Sequence, residues 1–143
     1  MDIFKSSVLN ILLYASETWV INLTQIQRIN AFQTSCLRII LDVKRDDRVT
    51  NDEVYSRTNM YPLSYTVQQR QLRFLGHSIR RPAEHYVSMY ALFNPTHGRP
   101  SRGQPTLLYP KYISKLLNPT FPITPKEIRR AASDRDVWRE RSE

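Results

Sequence analysis

Apolar and polar positions recur along most of this chain at the three- and four-residue spacing of helices, most clearly from Pro62 to Pro82, PLSYTVQQRQLRFLGHSIRRP. At 100° per residue, Leu72, Leu75, Gly76 and Ile79 fall within about 100° of one another, and Arg70, Arg73, His77, Arg80 and Arg81 fall within roughly 100° on the other side. The pattern predicts one helix with an apolar edge and a basic edge. Pro82 stops it, and Ser64 or Thr66 caps it, Thr66 having Gln69 three places on. Phe74 lies beside the arginines rather than with the leucines, although full burial would gain it about 1.5 to 3 kcal/mol. An aromatic among cations suggests stacking on bases.

Upstream, SSVLNILLYA at 6–15 has the residues of a buried helix capped by Ser6 or Ser7, and Ser16 to Trp19 reads as a turn with an anchoring indole. Thr24-Gln25-Ile26-Gln27 has capping-box spacing. It opens a helix in which Ile26, Ile29, Phe32, Cys36 and Ile40 form the apolar stripe, Arg28 and Arg38 lie off it, and the end falls near Asp42. The run DVKRDDR from Asp42 is a polar loop whose carboxylates, interleaved with Lys44, Arg45 and Arg48, read as self-neutralising surface rather than metal ligands. Thr50-Asn51-Asp52-Glu53 starts a short helix ending near Asn59.

His85 to Phe93 fits neither the helix nor the strand period and stays open between them. Asn94 to Thr106, NPTHGRPSRGQPT, cannot continue a helix and reads as an extended basic loop. Pro110 suits the first turn of a helix carrying Tyr112, Ile113, Leu116 and Leu117, with Lys111 and Lys115 outward and Asn118-Pro119 closing it. Thr124-Pro125-Lys126-Glu127 is the clearest helix start in the chain, and the amphipathic segment Ile128 to Trp138 follows, anchored by Trp138. The expected fold is all-α: a small helical domain with a central amphipathic basic helix and a Pro/Gly/Arg-rich loop. It divides into a helical region 1–93, the basic loop 94–107 and a C-terminal helical segment 108–143. Leu9, Leu12, Leu13, Ile29, Phe32, Ile40, Leu72, Leu75 and Ile79 form the expected core.

The net charge of +8 is unevenly placed. Lys and Arg number seven against seven Asp and Glu in residues 1–61, eight against one in 62–115, and six against five in 116–143. Nearly all the excess lies in the middle, the footprint of a partner that is a polyanion: nucleic acid first, an acidic protein second, an anionic membrane third. The single cysteine, Cys36, excludes a disulfide framework and reads as buried packing among Phe32, Leu37 and Ile40. The longest apolar run, Val8 to Ala15, is broken by Asn10 and is too short to cross a bilayer. With Asp2 before it, that run also argues against a signal peptide.

Catalytic patterns are missing. The glycines Gly76, Gly98 and Gly103 form no phosphate loop, and His77, His85 and His97 have no zinc-site spacing. No serine has nucleophile-elbow surroundings. No catalytic residue, metal ligand or cofactor is expected.

Six words stand in order: LLYASETW at 12–19, CLRIIL at 36–41, NDEVYSRT at 51–58, RQLRFLGHSIRR at 70–81, GRPSRGQP at 98–105 and DRDVWR at 134–139. Together they resemble the region after the polymerase core in non-LTR (LINE-type) retrotransposon endonuclease/reverse transcriptase polyproteins. Arg70, Arg73, Phe74, Gly76 and His77 match that family's R-x-x-R-[WF]-[LF]-G-H word. Gly98, Arg99, Ser101, Arg102 and Gly103 match its G-R-x-S-R-G word. The resemblance implies a thumb and basic connector that grip template RNA or an RNA/DNA primer-template, beside the palm of a parent RNA-directed DNA polymerase, with nuclear residence. The chain lacks the palm's Y-x-D-D tetrad, Gln104 stands where the family often has arginine, and Ala15 where it often has glycine. Arg70, Arg73, Arg80, Arg81, Arg99, Arg102 and Lys111 are the expected cations of the grip, with Phe74 as a stacking platform and His77 facing phosphate. The alternative is a repurposed or degenerate helical scaffold that binds an acidic protein.

Overall fold

The structure, a computed structural model, describes residues 2–82, 84–93 and 108–142. Among them it is all-α, with eight α-helices and no strand. The helices are α1 (Asn10–Leu12), α2 (Leu23–Ile40), α3 (Asn51–Thr58), α4 (Leu63–Ile79), α5 (Tyr86–Tyr90), α6 (Tyr109–Leu117), α7 (Pro125–Ser133) and α8 (Arg135–Ser142). Packing divides the chain into two units, Met1–Val67 and Gln68–Glu143, with the boundary inside α4. The first unit carries equal numbers of acidic and basic residues, so the whole +8 belongs to the second.

In the first unit a π-helical segment, Phe4–Leu9, runs into α1. It starts ahead of Ser6 and Ser7, neither of which caps it; the Ser6 hydroxyl instead donates back to the Ile3 carbonyl at 3.5 Å. Phe4, Leu9 and Leu13 are buried, and Leu12 only partly. The turn at Ser16–Thr18 forms as expected, entered through Ala15 at φ 55°, ψ 20°. A left-handed backbone costs an L residue about 1 to 2 kcal/mol, which accounts for glycine being favoured at such a position. Ala15→Gly should raise stability by about 0.5 to 1 kcal/mol once the greater freedom of the unfolded glycine is deducted. Denaturant midpoints of the two proteins test it, and an unchanged or lower midpoint would refute it.

Helix α2 begins two residues earlier than the Thr24 box implies. Asn22 is its cap, accepting from the Gln25 amide at 2.9 Å, while the Gln25 side chain accepts from the Asn22 amide at 2.8 Å. The larger correction concerns its buried face. Gln33, Thr34 and Leu37 are buried. Phe32 and Ile40, expected in the core, are each 44% exposed. Ile29 and Cys36 are half-buried rather than buried.

The inward face is turned because two amides on α2 cap α4. The Gln33 side chain donates to the Tyr61 carbonyl at 2.9 Å and accepts from the Leu63 amide at 2.8 Å. Asn30 accepts from the Ser64 amide at 3.0 Å and donates to the Ser64 hydroxyl at 3.1 Å. Neither Ser64 nor Thr66 is therefore the cap of α4. A buried backbone group left unpaired costs about 1 to 3 kcal/mol; the Leu63 bond is buried and those to Tyr61 and Ser64 partly so, and together they outweigh the 1.5 to 3 kcal/mol or so that full burial of Phe32 would bring. Arg38 then ties the end of α2 to the start of α3, donating to the Val49 carbonyl at 2.8 Å and to Asn51 at 2.9 Å. Thr50 caps α3 as expected, accepting from the Glu53 amide.

In the second unit Leu72, Leu75 and Ile79 of α4 are buried with Leu92, Tyr112, Ile113, Ile128, Ala132 and Trp138. His85 to Phe93 resolves as the helix α5, capped by the His85 ring. Pro110 sits in the first turn of α6, with Lys111 and Lys115 outward. The Tyr112 hydroxyl donates to the buried Gln71 carbonyl oxygen at 2.8 Å, and burial pushes the Tyr109 phenol up to about 12.

Thr124 and Glu127 form the expected reciprocal box at the start of α7. The segment Ile128 to Trp138 is not one helix, however. It breaks at Asp134, whose carboxylate accepts from the Asp136 and Val137 amides at 3.0 and 3.2 Å and so caps α8. An aspartate satisfies the first amides of a helix better than it continues one.

Candidate functional site

The basic edge of α4 has the predicted polarity. Arg73, His77, Arg80 and Arg81 are exposed, while Leu72, Leu75, Gly76 and Ile79 face inward. Four of the expected site residues line one groove of about 560 Å³, namely Arg73, His77, Arg80 and Arg81. Arg135 and Arg139 of α8 line it as well, together with Trp138. No acidic side chain lines it among the described residues. Five guanidiniums thus share one hollow.

Arg135 and Arg139 were missed because residues 116–143 nearly balance in charge, which hides a local excess. Their spacing of four on a helix, with the anchoring Trp138 between them, was the available signal.

The contact that brings α8 to α4 is legible in atoms. Trp138 is 3% exposed, and its indole N–H donates to the Leu72 carbonyl at 2.8 Å. The ring lies directly on Gly76, where a Cβ would stand 2.6 Å from the indole Cδ1. Only glycine admits that approach, so the glycine of the LGH word belongs to packing that forms the groove.

Several cations in the region already have structural duties. Arg80 donates to the Ala132 carbonyl at 3.0 Å, closing the end of α7. Arg129 donates to the Ser88 carbonyl at 2.7 Å, and the Ser88 hydroxyl reaches the Ile79 carbonyl at 3.3 Å, which fixes α5. Arg81 lies 3.1 Å from His85 Nε2. Arg139 sits 4.0 Å from Asp136 with both side chains exposed, a pair that contributes little. The side chains of Arg73, His77 and Arg135 make no hydrogen bond or ion pair among the described residues.

The remaining expected residues lie elsewhere. Phe74 is 42% exposed but does not line the groove. Arg70 is half-buried and also outside it, and Lys111 is exposed on α6. Arg99 and Arg102 lie outside the described residues, as does the whole loop 94–107. No group of three or more His, Cys, Asp or Glu side chains that could hold a metal occurs among the described residues. No described helix is long and apolar enough to cross a membrane.

No protein-family profile, curated protein or solved structure matches the chain.

Proposed function

We propose that this chain binds nucleic acid through phosphates, and that the groove between α4 and α8 is its principal contact. The observation that supports this reading is the convergence of Arg73, Arg80, Arg81, Arg135 and Arg139 with His77 in a hollow that no carboxylate lines among the described residues. Guanidiniums pair bidentately with phosphate oxygens, and such contacts release counterions without reading sequence. The retroelement words in the sequence agree with it. On that reading the chain is the thumb and connector portion of a non-LTR reverse transcriptase, binding RNA or primer-template beside a polymerase palm in the nucleus and having no catalytic centre of its own.

The test is binding to a labelled single-stranded RNA across salt concentration. Changing Arg73 and Arg135 together to Ala removes two groove cations that have no structural duty among the described residues. The log-log salt slope should become shallower by about 1.4, at roughly 0.7 per phosphate contact on a single strand. Coincident slopes for the wild type and the double variant would overturn the assignment.

A further inference from the structure

We infer that the groove is an end site, taking the terminal phosphate group of a nucleic-acid strand in preference to its internal phosphodiesters. The inference rests on the nucleic-acid reading above and narrows it. The cations do not form a single stripe along one element. They come from α4, the turn that follows it and α8, and meet in one hollow of about 560 Å³, within the size range of pockets for compact ligands.

An internal phosphodiester carries one negative charge and is separated from the next along the strand. A strand crossing the hollow would place few charges among five guanidiniums and an imidazole. A terminal phosphomonoester carries about −1.5 to −2 at pH 7 on three acceptor oxygens, and a terminal polyphosphate carries more in nearly the same space. Concentrated positive charge is best matched by concentrated negative charge.

The aromatic groups point the same way. Trp138 is 3% exposed, with its N–H committed to Leu72, so it offers no open face to a base. Phe74 is outside the groove. A strand threaded through the hollow would gain no stacking there, whereas strand-tracking sites combine a basic groove with exposed aromatic faces. Among the described residues the groove offers guanidiniums and an imidazole, and no open aromatic face.

The test uses the full chain and one RNA sequence prepared with a 5′-hydroxyl, a 5′-monophosphate, a 5′-triphosphate or a 3′-phosphate end, at one salt concentration. Phosphorylated ends should bind about tenfold tighter than the hydroxyl end, with the 5′-triphosphate tightest. Inorganic tripolyphosphate should compete for the same site. In R135A/R139A the preference for phosphorylated ends should disappear while weaker RNA binding survives; unchanged circular dichroism would show that the variant is folded.

Equal affinity for all four RNAs would overturn the end site and leave the nucleic-acid reading standing. Tight tripolyphosphate binding with no binding of any RNA would overturn both and assign the groove to a free polyphosphate. Preference for a phosphorylated end that persists in R135A/R139A would place the end site elsewhere and overturn this assignment.

Discussion

Gly76→Ala should destabilise the protein by about 2 to 4 kcal/mol, although alanine is the better helix former by roughly 1 kcal/mol. The added Cβ would lie 2.6 Å from Trp138 Cδ1, closer than real Cβ contacts come, so the indole must move. Moving it breaks the 2.8 Å bond to the Leu72 carbonyl and opens the space beneath a side chain that is 3% exposed. Loss of that bond costs about 0.5 to 1.5 kcal/mol, and lost burial and poor packing supply the rest.

The decisive measurement is the same substitution in a Trp138→Ala background. Trp138→Ala alone should cost about 3 to 5 kcal/mol. With the indole gone, Gly76→Ala should change sign and stabilise by up to about 1 kcal/mol, because only the helix propensity remains. Additive costs in the double variant would show that Gly76 is needed for some other reason. RNA binding by Gly76→Ala should weaken as well, since Arg135 and Arg139 are carried by the helix that Trp138 anchors.

The same glycine shows how far the sequence could be read. Periodicity placed Gly76 on the apolar edge of α4 and placed Trp138 as an anchor, and both are buried there. It could not pair them, because residues 62 positions apart come together only through tertiary packing. The groove was consequently half legible: the α4 cations stood out as a stripe, while Arg135 and Arg139 were masked by neighbouring acids. Helix starts with a local side-chain cap, such as Thr50 and Thr124, were readable because cap and capped amide lie within four residues. The start of α4 was not, because its caps come from another helix.

Gln33→Leu should cost about 2 to 4 kcal/mol for that reason, even though it replaces a fully buried polar side chain with an apolar one of similar size. Gln33 is 0% exposed, and its amide serves two backbone groups at once, the Tyr61 carbonyl and the Leu63 amide. Leucine serves neither, and each orphaned group costs about 1 to 3 kcal/mol, against which the gain from a more apolar side chain is smaller. If hydrophobic burial dominated at this position instead, Gln33→Leu would be neutral or stabilising, and the caps on Tyr61 and Leu63 would not be what turns Gln33 inward.

Gln33→Glu separates the two bonds. Near neutral pH the new carboxylate can still accept from Leu63, but it has no proton to give Tyr61 and is buried beside a carbonyl oxygen. Burial and that oxygen raise its folded pKa above the unfolded value, so the folded state binds the proton more tightly. Its penalty should therefore be small at pH values below the unfolded carboxyl range and grow as pH rises through the folded value. Protonated, the acid reproduces one donor and one acceptor, as the amide does. Denaturation of Gln33→Glu relative to wild type at pH 4 and pH 7.5 should show the larger deficit at the higher pH. A deficit independent of pH would mean that neither burial nor the Tyr61 carbonyl acts on the new carboxyl, and would overturn the role of Gln33 as a buried cap that both donates and accepts.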